Sequence, residues 1–197
     1  MIFRVGITGG IGSGKSLICR IFETLGVSVY YADTEAKRIM LEDKKVKEQL
    51  IELLGDDAYK GDNIDRSYIA SAIFNNDMLL TRMNQIVHPA VHSDFIKWSG
   101  AITDSPYVIK EAAIMFESGS DKFVDTTVLV YASETTRIER VRKRDGVDEK
   151  IVKERMKNQM DEEEKRQLAD HIITNDNEHM VIPQVIALHE EFLIKSN

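Results

Sequence analysis

Ile2-Phe3-Arg4-Val5-Gly6-Ile7-Thr8 runs without interruption into Gly9-Gly10-Ile11-Gly12-Ser13-Gly14-Lys15-Ser16, and the fold turns on this stretch. Its first part is a short apolar, β-branched run, which reads as a buried strand. Its second part satisfies G-x-x-x-x-G-K-[ST] at every position. Beyond it, Ile18, Ile21, Phe22 and Leu25 recur at helical spacing, Gly26 supplies a C-terminal stop, and Val27–Tyr31 forms a second apolar strand. Strand, glycine-rich turn, amphipathic helix and strand in that order predict a parallel sheet with helices on both faces. The same residues predict a chemistry. The glycines let the backbone from Gly10 to Gly14 curl so that N–H groups point inward around phosphate oxygens. The N-terminus of the following helix adds partial positive charge. Lys15 is placed to reach the β- and γ-phosphates of a nucleotide, and the Ser16 hydroxyl to ligate Mg²⁺.

Working outward, the pattern changes from about Thr34 to Gly100, where almost everything reads as helix. Val46, Leu50, Leu53 and Leu54 form one apolar stripe ended by Gly55. Asp65 is a candidate N-cap for a helix with Ile69, Ile73 and Phe74, and Asp77 for another with Leu80, Met83 and Val87. Pro89 is expected to kink that helix or to open a new one, with His88 as a possible cap. This excursion is too large for one crossover helix, so residues 34–100 read as a helical insertion. Strand-like sequence returns at Tyr107–Phe116 and Val124–Ala132, with Ser133 able to cap the helix that follows. Residues 137–167 are polar and helical with few core-grade side chains, the composition of a mobile lid. Asp170–Thr174 reads as a last strand, and Val181, Val185, Leu188 and Phe192 mark a closing helix.

The bulk composition narrows the partners. The chain of 197 residues is 43% hydrophobic and 30% charged, an ordinary globular balance for one α/β domain. Its formal net charge of −7 lacks the basic footprint of general nucleic-acid binding. No apolar run reaches the ~20 residues of a membrane helix, and the first residues lack signal-peptide form, so a cytoplasmic protein is expected. Cys19, the single cysteine, falls on the apolar side of its helix as a core residue. His88 and His92 share a helix face, yet no third ligand completes a metal site.

A phosphate-binding loop leaves the reaction open. The N-K-x-D and D-x-x-G strings of GTPases and the L-S-G-G-Q string of transport ATPases are absent. Four other features have two readings each. Asp33 follows the carboxyl end of the second strand, where ligands bind in open α/β sheets, and is either a base toward an attacking hydroxyl or a helix cap. Arg137, Arg140 and Arg144 share one helix face, which is either a solvated surface or a set of cations for phosphoryl transfer. His88, before Pro89, is either a cap or a residue whose role local sequence leaves open, and Asn175, after the last strand, is either a turn residue or one whose role local sequence leaves open.

The stretch Val5–Ser16 resembles the opening of dephospho-CoA kinases, and collinear similarity continues along nearly the whole chain. It takes in Ala32-Asp33, Asp65-Arg66, Ile86-Val87-His88-Pro89, Phe116-Glu117-Ser118-Gly119, Arg140 to Arg144-Asp145, Gln159-Met160 with Lys165, and Ala169-Asp170 through Asn175. One block departs from the family pattern: Glu111-Ala112-Ala113-Ile114-Met115-Phe116-Glu117 stands where the family often has an Asp and a Pro-Leu-Leu-type stretch. The resemblance implies a P-loop NTPase-type, doubly wound α/β sheet with a helical acceptor-binding insertion and a helical lid. It implies ATP and Mg²⁺ as cofactors, dephospho-CoA as a small-molecule acceptor, and transfer to the acceptor's ribose 3′-hydroxyl. It assigns the catalytic base to Asp33, a catalytic lid arginine that closes over the transferring phosphoryl group to Arg140, the acceptor border to His88 and the adenine pocket to Asn175. Two alternatives remain: a P-loop kinase acting on a nucleoside, nucleotide or sugar acid, and a non-catalytic ATP-binding regulator.

Overall fold

The computed structural model describes residues 2–61, 63–73 and 76–196. Five parallel strands form the central sheet in the order β2-β5-β1-β6-β7: β1 (Phe3–Thr8), β2 (Ser28–Tyr31), β5 (Tyr107–Glu111), β6 (Thr126–Tyr131) and β7 (His171–Thr174). β1 is central, pairing Ile7 with Glu111 of β5 on one side and with Val128 of β6 on the other. Helices cover both faces, and this explains why β1, β5 and β6 read as continuous apolar runs rather than alternating ones. The strands are shorter than the apolar runs: the expected strand at Tyr107–Phe116 ends at Glu111, and that at Val124–Ala132 covers Thr126–Tyr131.

α1 (Lys15–Thr24) and α9 (Val181–Lys195) bring Ile18, Phe22, Val185 and Phe192 onto the sheet. Tyr107 joins this core edge-on to Phe22 and Phe192, with ring centroids 6.5 and 5.6 Å away, and its hydroxyl meets His189 Nδ1 at 2.7 Å. α1 stops where the sequence says it should. The Gly26 N–H donates to Glu23 O and the Val27 N–H to Phe22 O, with Gly26 at φ +83°, which satisfies the last carbonyls of the helix. Cys19 lies fully buried on the same helix, and burial pushes its thiol pKa up.

The chain forms two compact units: one up to Tyr31 and from Trp98 onward, the other Ala32–Lys97. The second unit holds α2 (Ala32–Glu42), α3 (Lys44–Leu54), a short β3–β4 hairpin (Tyr59–Lys60 with Asn63–Ile64), α4 (Arg66–Ile73) and most of α5 (Asp77–Ala101). Asp65 accepts from the Tyr68 N–H at 3.0 Å as a cap, while the Phe74 expected on the same helix lies outside the described residues. Two local readings need correction. The cap of α5 is Asn76, whose side chain accepts from the Leu79 N–H at 3.1 Å, and Asp77 is the first helical residue. Of the two alternatives at Pro89, the opening of a new helix is ruled out, because α5 continues through His88 and Pro89 to Ala101. An interior proline costs about 3 kcal/mol. Val87, Val91 and Phe95 are buried along one stripe of α5 at about 1.5–3 kcal/mol each, which outweighs it.

α6 (Glu134–Asp145), α7 (Glu149–Met156) and α8 (Glu162–Leu168) occupy the polar region expected to be a lid. Ser133 caps α6 by accepting from the Thr136 N–H at 3.3 Å. The region has a small core of its own: Ile138, Val141 and Val152 are buried together, with Ile11 of the glycine loop packed against them.

Candidate active site

β1 delivers the chain at Thr8, and the loop of residues 9–14 feeds directly into α1, with Gly14 as its N-cap at φ +96°. A helix N-terminus favours an anion through its first amides and its dipole; here the Leu17 and Ile18 N–H groups both donate to the Gly14 carbonyl, at 3.0 and 3.3 Å. Other elements press on this loop closely. A Cβ on Gly12, at φ +84°, would lie 2.5 Å from the Arg137 carbonyl and 2.9 Å from Val141 Cγ2 of α6. A Cβ on Gly14 would run into Asn175 Nδ2. The glycines are required by neighbouring backbone as well as by dihedral angle.

Lys15 is nearly buried, and its ammonium donates to the Gly9 carbonyl at 2.7 Å. Glu111 is the last residue of β5, beside β1. Its Oε1 lies 3.9 Å from Lys15 Nζ, and the carboxylate is itself buried. The residue at which the sequence departs from the family pattern thus lies beside Lys15. Ser16 is exposed in the first turn of α1. Among the described residues, no group of three or more His, Cys, Asp or Glu could hold a metal by itself. The donor set suits Mg²⁺ all the same, because that ion keeps several waters and takes substrate phosphates with only one or two protein oxygens. Ser16 and Glu111 are the oxygens at hand.

At the other end of the loop, the Asn175 N–H donates to the Tyr131 carbonyl and its side-chain amide to the Ser13 carbonyl, each at 2.8 Å. Arg140 reaches the same place. It donates to the Asn175 carbonyl at 2.9 Å, to Ser13 O at 3.4 Å and to Asn177 Oδ1 at 2.6 Å. The three arginines that share one face of α6, Arg137, Arg140 and Arg144, therefore part company. Arg140 braces the 175–177 turn against the loop. Arg137 is buried, donates from Nε to the Ala132 carbonyl at 3.2 Å and lays its guanidinium against Gly10. Arg144 is exposed and turned to Asp145 at 2.7 Å; with Arg155 it holds that carboxyl down to about 2.

Asp33 and His88 belong to the Ala32–Lys97 unit. Asp33 is exposed, one residue into α2, which starts directly after β2 ends at Tyr31. It lies inside the first turn and is not the cap. His88 is half-buried in the interior of α5. Three contacts at the loop have no local signature in the sequence: Glu111 on Lys15, the Arg137 guanidinium at Gly10, and Gln159, whose side chain accepts from the Ile11 N–H at 2.8 Å.

The sequence model of the dephospho-CoA kinase family matches residues 3–180. A dephospho-CoA kinase from Salinibacter ruber is 42% identical over 175 residues, 87% of this chain and 88% of that protein. One from Bacteroides fragilis is 36% identical over 188 residues, 95% of this chain and 92% of the relative. A crystal structure from Thermus thermophilus superposes with a TM-score of 0.83 at 28% identity, covering 98% of this chain and 97% of the other. With the glycine loop, Lys15 and the α6 arginines in place, the chain belongs to the dephospho-CoA kinase family.

Proposed function

We propose that this protein transfers the γ-phosphoryl group of ATP to the ribose 3′-hydroxyl of dephospho-CoA, giving ADP and CoA. The observation that carries the reading is the glycine loop at the end of β1, with Lys15 lying along it and Glu111 3.9 Å from its ammonium. Lys15 exchanges the Gly9 carbonyl for β- and γ-phosphate oxygens and neutralises charge there. Ser16 would hold Mg²⁺, with Glu111 as the other oxygen at hand, and the bound ion would supply further charge neutralisation at the phosphates. Asp33 takes the proton of the attacking hydroxyl and orients it. Arg140, expected over the transferring phosphoryl group, instead donates to Asn175 O and Asn177 Oδ1. With Asn175 it holds the 175–177 turn that receives the adenine, and the 137–167 region acts as the lid. His88 borders the acceptor.

The Ala32–Lys97 unit contains a cleft of about 990 Å³ between α2, α3 and α5, lined by Arg38, Gln49, Leu53, Arg82, Ile86 and Lys97 among others. The lining is mixed in charge, with Arg38, Lys45, Arg82 and Lys97 among Glu42, Asp43, Glu52 and Asp94, and Arg38 is paired with Glu42 and Asp94. Its volume is the feature that favours an extended acceptor over a compact sugar. This reading makes the protein a cytoplasmic enzyme of small molecules, without nucleic-acid or membrane partners. Among the described residues, no helix is long and apolar enough to cross a membrane.

The test is ADP release with and without dephospho-CoA, alongside the mass of the product. Acceptor-dependent ADP, with one phosphate added to the acceptor, is the expected result. Turnover with a nucleoside or sugar acid but not with dephospho-CoA would leave only a small-molecule kinase. Tight ATP binding without turnover on any acceptor would favour a regulator.

A further inference from the structure

Beside Gly10 lies a buried ionic cluster that the transfer described above does not use. Lys165 of α8 is fully buried, with its ammonium 3.1 Å from Glu117 Oε1 and 3.6 Å from Glu162 Oε1. Glu162 is also buried, and neither of its carboxylate oxygens has a hydrogen-bond partner. That carboxylate seats on the glycine loop: a Cβ on Gly10 would lie 2.7 Å from Glu162 Oε1 and would also meet the Arg137 guanidinium. Two more bonds hold the region, one to the loop and one to Glu117. The Ile11 N–H donates to Gln159 Oε1, and the Met160 N–H to Glu117 Oε1, both at 2.8 Å.

A carboxylate removed from water without hydrogen bonds is costly and calls for an explanation. A lysine ammonium has three donors to place, and here two carboxylates are its neighbours. The two ends of the loop also differ in kind. Ser13 and Gly14 meet Asn175 and Arg140, the side assigned to the base. Gly10 and Ile11 meet Arg137, Glu162 and Gln159, with Lys165 behind Glu162 at 3.6 Å, at the end of the nucleotide farther from the base. We propose that Arg137 and Lys165 form a subsite for the γ-phosphoryl group at Gly10–Ile11, and that the Glu162 carboxylate is an internal anion that ATP displaces from it. The inference rests on the kinase reading and adds two substrate-contacting cations to it. It leaves Arg140 to the adenine side.

The experiment compares the affinity of the β,γ-imido analogue of ATP with that of ADP, each with Mg²⁺, by titration calorimetry on the full chain. Lys165→Met should weaken the analogue by about 10- to 100-fold, the scale of a charge-assisted hydrogen bond, and change ADP affinity by less than about 2-fold. Glu162→Gln, which removes the competing charge, should tighten the analogue several-fold and leave ADP unchanged. Should Lys165→Met not fold, Lys165→Met/Glu162→Gln, which removes one charge of each sign, carries the same comparison. Equal losses for analogue and ADP would overturn the proposal, because they mark a structural brace. So would weaker analogue binding in Glu162→Gln, which would make Glu162 a partner of Lys165 and not a stand-in. A wild type that binds neither nucleotide refutes the kinase reading itself. A wild type that turns over while the variants show no analogue-specific change refutes only the subsite.

Discussion

Gly12 and Gly26 have nearly the same backbone angle, φ +84° and +83°, but opposite surroundings. A methyl group on Gly26 meets nothing within 4 Å, whereas one on Gly12 comes within 2.5 Å of the Arg137 carbonyl, 2.9 Å of Val141 Cγ2 and 3.0 Å of Arg137 Cα. Each alanine substitution costs about 1–2 kcal/mol for the left-handed conformation. That cost cancels between the two variants. What remains is the overpacking at Gly12, about 1–3 kcal/mol, because two of the obstructing atoms are helix backbone and cannot rotate away. For a chain of this size each kcal/mol shifts Tm by about 2–4 °C, so Gly12→Ala should melt roughly 2–12 °C below Gly26→Ala. Thermal unfolding followed by circular dichroism measures both, and an ADP-release assay should show Gly26→Ala close to wild type and Gly12→Ala impaired. Equal melting temperatures would refute the claim that α6 rests on the loop closely enough to dictate a glycine.

Three other outcomes are expected. Asp33→Asn should keep ATP affinity by calorimetry and lose about 100-fold or more in kcat toward dephospho-CoA, the scale of a positioned base; normal turnover removes Asp33 from that role. Lys15→Ala should lose at least ~100-fold in kcat/KM in the same assay while still folding, and near wild-type turnover would contradict the loop assignment. Lys110, buried in β5, has its pKa pushed down by burial from 10.5 to about 8. Below about pH 8 the folded chain bears the full penalty of that charge. From there to 10.5 the unfolded chain holds a proton that the folded chain has released, so this residue makes stability rise with pH. Denaturant titrations of wild type and Lys110→Met should therefore converge by roughly 2 kcal/mol between pH 7 and 9.5, and a constant difference would mean that Lys110 titrates normally.

The sequence announced what is local and hid what is not. The glycine loop, the stop of α1 at Gly26 and the Ser133 cap depend on residues a few positions apart, and all three are found where spacing puts them. The strand order β2-β5-β1-β6-β7 depends on which crossover lies beside which strand, and no window of sequence contains that. At Pro89 the local rule for helices lost to a buried stripe on either side of it. The polar face of α6 read as three equivalent arginines, but solvent, the 175–177 turn and Gly10 each took one. Lys165 and Glu162 look like surface residues of a charged helix, and their burial follows from where the fold sets α8. Asp33 was legible as a carboxylate at a strand's end, and its place inside the first turn of α2 was not.

The segment Ala32–Lys97 leaves the sheet at the end of β2 and is followed by β5, the strand that pairs beside β2 in parallel register from Ser28↔Val108 to Tyr31↔Glu111. In topological terms it is one enlarged crossover, uninterrupted in sequence. A lineage could lengthen, shorten or replace this stretch in a single recombination event, while the nucleotide loop and the strand order pass unchanged to the descendant. On the proposed reading such a cassette carries acceptor choice. New phosphate acceptors could then arise by exchange of a module, without gradual rebuilding of the catalytic core.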